Sequence, residues 1–249
     1  MSNTSVIVDA RSVRRGKLIS KLLFIIFILL ILLFTISYSI VYIINKNGNF
    51  TITLDDNAYE QEKLIVSPRS DFAYTTHKIK VENLDYMDNI SESWLPVDID
   101  NHDGPHNGNN YMAYTFYVKN NSDDVLSYSV AINILSVISG VDEAVRIAVY
   151  RNGEKTVYAK KTPIGDIEPG TTPFVSENQV MNMLYDNFSP GDVDKYTVVV
   201  WLEGDDPECI NNIIGGELKM DMLLGENTLK YERWKKWKKR KWIKRKKDY

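Results

Sequence analysis

Four carboxylates crowd into six residues at Glu203, Asp205, Asp206 and Glu208, inside the run Trp201-Leu-Glu-Gly-Asp-Asp-Pro-Glu-Cys209. Like charges this close raise one another's pKa, so the cluster needs a counter-charge or a structural use. One use is calcium, a hard cation that takes roughly six to eight oxygen ligands. The other is a helix start, with Asp206 as the acidic cap and Pro207 at the first helical position. A second acidic run, Asp98-Ile-Asp-Asn-His-Asp-Gly-Pro-His106, offers Asp98, Asp100 and Asp103. It has the composition of a calcium loop but not its register, because Asp103 stands where an EF-hand has its turn glycine. A loop of Asp, Asn, Gly and Pro is ordinarily just a loop, and that is the plainer reading.

Nothing else in the chain is arranged for catalysis. The three histidines are His77, His102 and His106. The last two are separated by Gly104-Pro105, so they do not share a helix face, and no H-E-x-x-H motif supplies two metal ligands and a base. Cys209 is the single cysteine, and its acidic neighbours raise a thiol's pKa and lower its reactivity. There is no G-x-S-x-G elbow and no phosphate-binding glycine loop. The expectation is a protein that is not an enzyme, with calcium the one cofactor its residue inventory suits.

The last 20 residues carry a different chemistry. Lys230 to Tyr249 holds twelve Lys/Arg against Glu232 and Asp248. Its binding groups are Arg233, Trp234, Lys235, Lys236, Trp237, Lys238, Lys239, Arg240, Lys241, Trp242, Lys244, Arg245, Lys246 and Lys247. In a helix, Tyr231, Trp234, Trp237 and Trp242 fall within an arc of about 140°, interrupted by Lys238 and Lys241. Indoles at the interface and cations on head groups suit docking on a membrane. An anionic wall polymer or extracellular DNA meets the same charges, without specific nucleic-acid recognition. A neighbouring copy is a third partner, because residues 45–229 hold 13 Lys/Arg against 30 Asp/Glu, a net charge of −17. A solvated tail is the plain alternative.

These groups are placed by an organisation in four parts. Residues 1–21 are a basic segment with Arg11, Arg14, Arg15, Lys17 and Lys21. Residues 22–44 hold no charge, and about 20 apolar residues suffice to cross a bilayer as a helix. The stretch is longer than a secretory signal core and ends without an A-x-A-like cleavage site, which favours an uncleaved anchor over a signal peptide. By the positive-inside rule the N-terminus is cytoplasmic and the rest extracellular. Residues 45–229 form one domain with no intramolecular disulfide available, and residues 230–249 form the tail. The N-x-S/T patterns at Asn49, Asn89, Asn120 and Asn187 matter only in a glycosylating host.

The extracellular part reads as strands. Alternating or β-rich runs occupy 50–54, 72–79, 111–118, 128–137, 144–150, 156–160, 196–202 and 216–224. Asn152-Gly153 between two of them is a hairpin signal, since both residues tolerate positive φ. The apolar run 196–202 is expected to be central or buried on both faces. Short helices are expected at 177–187 and 207–213. About eight strands with turn clusters between them describe a mainly β fold, a jelly-roll-like β-sandwich.

Several segments also resemble a known family. Trp94-Leu-Pro, Asp103-Gly-Pro105, Tyr114-Thr-Phe-Tyr117, Asp142 to Tyr150, and above all Trp201 to Cys209 followed by Gly215-Gly216 look like the TasA–camelysin family. These are exported β-sandwich proteins of Gram-positive cell surfaces and biofilm matrix. The chain departs from that pattern in its long anchor and its Trp/Lys tail. The resemblance implies a structural or adhesive role at the envelope, by self-association or by binding other surface material. Strand addition is one route, with 50–54 as the expected joining strand. The alternatives are a carbohydrate- or peptide-binding module, and a metal-dependent hydrolase that the residues disfavour.

Overall fold

The computed structural model describes residues 10–45, 50–82, 84 and 86–226. The basic groups from Arg233 to Lys247 therefore lie outside the described residues. The chain divides into two compact units, Met1–Asn47 and Gly48–Tyr249. In the first, helix α1 runs Ala10–Asn45. Its stretch Ile19–Ser39 is long and apolar enough to cross a membrane, and none of it is buried against protein.

The second unit is two β-sheets. Its strands are β1 (Phe50–Leu54), β2 (Leu64–Ser67), β3 (Lys78–Val81), β4 (Gly104–Pro105), β5 (Tyr111–Asn120) and β6 (Leu126–Ile138). They continue with β7 (Val145–Arg151), β8 (Glu154–Ala159), β9 (Thr172–Pro173), β10 (Gln179–Phe188), β11 (Val193–Leu202) and β12 (Glu217–Glu226). One short helix, α2 (Asp56–Glu60), follows β1. The first sheet has the order β10-β6-β12-β1-β3, the second β2-β5-β11-β7-β8-β9 with β4 also on β5. Pairing is antiparallel except for β1 with β12 and β8 with β9.

The alternation seen in the sequence becomes the core. Phe50, Ile52 and Leu54 of β1, Met222 and Leu224 of β12, and Tyr128, Val130 and Ile132 of β6 pack against Phe116, Ile147, Tyr196 and Val198 of the opposite sheet. The apolar run 196–202 is buried on both faces, as expected. Its odd-numbered Val199 and Trp201 point outward into a second cluster with Ile90, Ile99, Ala113, Ala148 and Val157, capped by the segment that precedes β4. The hairpin turn is also as expected, with Asn152 at φ 53° and Gly153 at φ 87°.

Four local expectations are corrected. Residues 177–187 are not a helix but most of β10, hydrogen-bonded to β6. Met-Asn-Met-Leu-Tyr has no decisive preference, so the sheet partner decides. The expected helix at 207–213 shrinks to a 3-10 turn, Asn211–Ile213. The long strand at 72–79 is confined to Lys78–Val81. Finally, β1 is no free edge: it lies between β12 and β3 with Phe50, Ile52 and Leu54 each 1 % exposed. A strand with three apolar residues on one face buries them in its own sheet before any other.

Candidate functional site

At one end of the sandwich the sheets part, leaving a groove of about 520 Å³. Phe50, Leu218 and Met220 line it from the first sheet, and Met112, Val200 and Leu202 from the second. Leu84 and residues 86–89 form one side of its rim, and the segment 209–216 the other. The second rim segment continues from Glu203, which is fixed in three directions. Its backbone N–H donates to Ala144 O at 2.9 Å. Its carboxylate accepts the indole N–H of Trp201 at 3.0 Å and the Glu92 N–H at 3.2 Å. Gly216 closes the segment where an added Cβ would stand 2.8 Å from both Ile213 O and Val141 Cβ. The alternating strand residues and the tight loop together keep the groove open and apolar.

Beneath this rim lies a charge cluster that the sequence showed only in part. Arg146 of β7 pairs with Asp206 Oδ2 at 2.5 Å and with Glu168 Oε2 at 3.1 Å, all three side chains being at most 6 % exposed. Carboxylate oxygens of Glu168, Asp206 and Glu208 lie within 4.8 Å of one another. Asp206 Oδ1 accepts the Glu208 N–H at 2.8 Å, so Asp206 does cap its turn, although no helix follows. Asp206 Oδ2 meets only the Arg146 guanidinium, and Glu208 Oε2 is buried without a protein donor. The hydrogen bond to Asp206, then burial, pushes the Glu208 carboxyl above the usual carboxylate range, as expected when two carboxyls share one proton. Burial and then the charge of Asp206 push the Cys209 thiol up, away from nucleophilic use.

The four expected ligands thus separate. Glu203 serves Trp201 and the loop, Asp205 is exposed, and only Asp206 and Glu208 meet. They are joined by Glu168 and by a cation already in place, Arg146. Arg146 could have been suspected from the sequence, because a charge in the apolar run Val145 to Tyr150 must find a buried partner. Glu168 gave no signal, sitting in a loop between two turns. Three carboxylates about a small space suit a hard cation in type, yet the guanidinium occupies two of the three.

The second acidic run does not converge at all. Asp98 Oδ2 stands 3.6 Å from His102 Nε2, and Asp100 Oδ2 is 3.6 Å from Lys195 Nζ. Asp103 accepts from Tyr117 Oη and from the N–H and Oγ of Ser70. Burial opposes ionisation of Asp103, but these donors outweigh it and hold the carboxyl low. Burial and the Asp103 bond push the Tyr117 phenol up to about 12. The rings of His102 and His106 approach to 5.5 Å, while His77 packs against Tyr59 at 5.0 Å.

A further polar network, unread in the sequence, lies at the other end of the core. Buried Asp194 accepts from Tyr128 Oη, from Arg151 Nε and Nη2 at 3.1 and 2.7 Å, and from Asn152 Nδ2 at 2.6 Å. Tyr128 and Tyr196 share a hydrogen bond of 2.7 Å, and burial drives both phenols far above their usual range. It ties the β7–β8 hairpin to β11 and β6.

No protein-family profile matches this chain, and no curated protein does. Among solved structures, a crystal structure of beta-glucosidase from Kluyveromyces marxianus in complex with glucose aligns at 15% identity and a TM-score of 0.22. The selenomethionine-labelled form of the same enzyme aligns at 14% identity, again with a TM-score of 0.22. Each alignment covers 64% of this chain, which spans 15% and 16% of the length of the two enzyme chains.

Proposed function

We propose that this chain is a single-pass membrane-anchored surface protein with a structural or adhesive role, working by self-association at the envelope. Its N-terminus is cytoplasmic and its jelly-roll-like sandwich extracellular, as the basic flank of α1 supports. The observation that carries the assembly reading is the open edge at β10. This strand is ten residues long, has no lysine or proline, and exposes Met183 at 43% and Leu184 at 48%. Such an edge, with Asp186 as its one charged residue, is a template for another strand. It takes over the role expected of 50–54, which the sheet already uses. The resemblance to TasA–camelysin proteins supports the same role.

The competing readings draw less from the geometry. A carbohydrate site stacks sugars on exposed aromatics in a concave face, whereas the groove is lined chiefly by aliphatic and methionine side chains. Tyr114 points into the core, and Tyr111 and Tyr117 lie on the opposite face of β5. The test is sedimentation of the full chain in detergent, wild type against Leu184→Lys. Assembly in the wild type, lost in the variant, is the expected result. Equal assembly in both sinks the edge as the contact.

A further inference from the structure

The open edge of β10 is narrower than the strand itself. At its start, Val180 O already accepts the Val175 N–H at 3.3 Å, and Ser176 and Gln179 bridge each other. At its end, Asn187 turns the chain at φ 61°, and Phe188 O accepts from Asn120 Nδ2 at 2.8 Å. Between these limits the pairing to β6 is regular, from Met181 opposite Ile132 to Tyr185 opposite Tyr128. The Ile134 N–H donates to Asn178 O at 2.9 Å, so the even-numbered residues of β6 turn their backbone groups toward β10. By alternation Met181, Met183 and Tyr185 spend theirs on β6, and Asn182, Leu184 and Asp186 turn theirs away from the sheet. The side chains of these three also share its exposed outer face.

We propose that this edge pairs with the same edge of a second copy, antiparallel about a two-fold axis through Leu184. The inference deepens the self-association reading and rests on it. The other edges among the described strands are guarded. β3 presents Lys78 and Lys80, the part of β8 beyond β9 carries Glu154 and Lys155, and β2 is bridged to Thr76. β4 and β9 are two residues long and end in proline. Charge, cover and proline each discourage strand addition.

Symmetry then sets the register. Opposite residues of an antiparallel pair point to one face, so a strand paired with itself turns about a residue, not between two. About Leu184 all three free backbones meet. Leu184 faces the partner's Leu184, Asn182 faces the partner's Asp186, and each pair exchanges both its hydrogen bonds. Asp186 Oδ1 accepts from Ser127 Oγ at 2.5 Å, which leaves Oδ2 for the amide of the partner's Asn182. On the core face Met183 meets the partner's Tyr185, a sulfur–aromatic contact. Turning about Met183 instead sets Asp186 against Val180, whose carbonyl is already taken. The chain's own residues 233–247 make no such match, since as a strand they set lysine or arginine on both faces, against Leu184 and Met183. The contact is isologous and closes at a pair, joining two five-stranded sheets into one.

Cysteines placed along the edge read both contact and register, in full-length chains whose one native thiol is removed by Cys209→Ser. Opposite positions come within disulfide reach, whereas Asn182 stands about 13 Å from the partner's Asn182. In detergent under mild oxidant, Leu184→Cys is expected to link to itself about tenfold faster than Asp123→Cys, an exposed position off the edge. Asn182→Cys and Asp186→Cys are each expected to stay unlinked alone and to link when mixed. Leu184→Cys linking no faster than the control overturns the proposal, as it would if another segment held the edge. So does Asn182→Cys linking to itself as fast as to Asp186→Cys. Sedimentation of the Cys209→Ser chain separates the two readings: assembly without Leu184→Cys linking leaves self-association standing and removes this pairing, whereas a monomer removes both.

Discussion

At the scale of single residues the largest stakes sit with Arg146. It neutralises two carboxylates whose side chains are almost fully buried. Removing one partner of a buried ion group leaves uncompensated charge, typically at a cost of roughly 3–5 kcal/mol. Arg146→Met should therefore lower the urea midpoint strongly. Urea titration of the two proteins side by side checks the size, and an unchanged midpoint would contradict it. Glu208 makes a subtler case. Its carboxyl is raised in the folded state, so its stabilising contribution is present below the unfolded pKa and lost as pH rises through the folded one. Glu208→Gln stays neutral at every pH and can donate to Asp206. Its melting temperature relative to wild type should climb from pH 4 to pH 7, and a constant difference would refute the shared proton.

Elements were legible where periodicity was strong. The alternations at 111–118, 128–137 and 216–224 fix β5, β6 and β12, because period two allows one face to be buried. Trp201 and Val199 on the far side of β11 explain why its run is continuous instead of alternating. What escaped were elements defined by partners. The strand β10 has no period-two pattern, with an irregular burial sequence and two register shifts against β6. The acidic run after Trp201 suggested a single site, and its members diverged because their partners, the Arg146 guanidinium and the Trp201 indole N–H, come from separate strands. Only Asp206 and Glu208 stay together. The open edge at β10 bears the test described above. Leu184 is half-exposed, so Leu184→Lys should change stability by no more than about 0.5 kcal/mol. Intact melting with lost assembly is the signature of an edge contact.

At the scale of the whole molecule three features act together: a membrane-length helix, an acidic sandwich with an open edge and an open groove, and a basic tail. Residues 45–229 carry −17 and the tail +10. Opposed charges on copies confined to one surface raise their encounter rate and make association salt-dependent. Under the proposed anchoring, copies are kept in a plane, where even weak contacts are multiplied by local concentration. In the proposed assembly the open edge of β10 supplies backbone hydrogen bonds to a neighbouring strand.

The central claim is self-association of the anchored chain. Its most direct measurement is photobleaching step counting of fluorescently tagged full-length protein in supported bilayers, at low and high salt. The account expects multi-step traces at low salt that shift toward fewer steps as salt rises. Single-step traces at every surface density and salt concentration would contradict it.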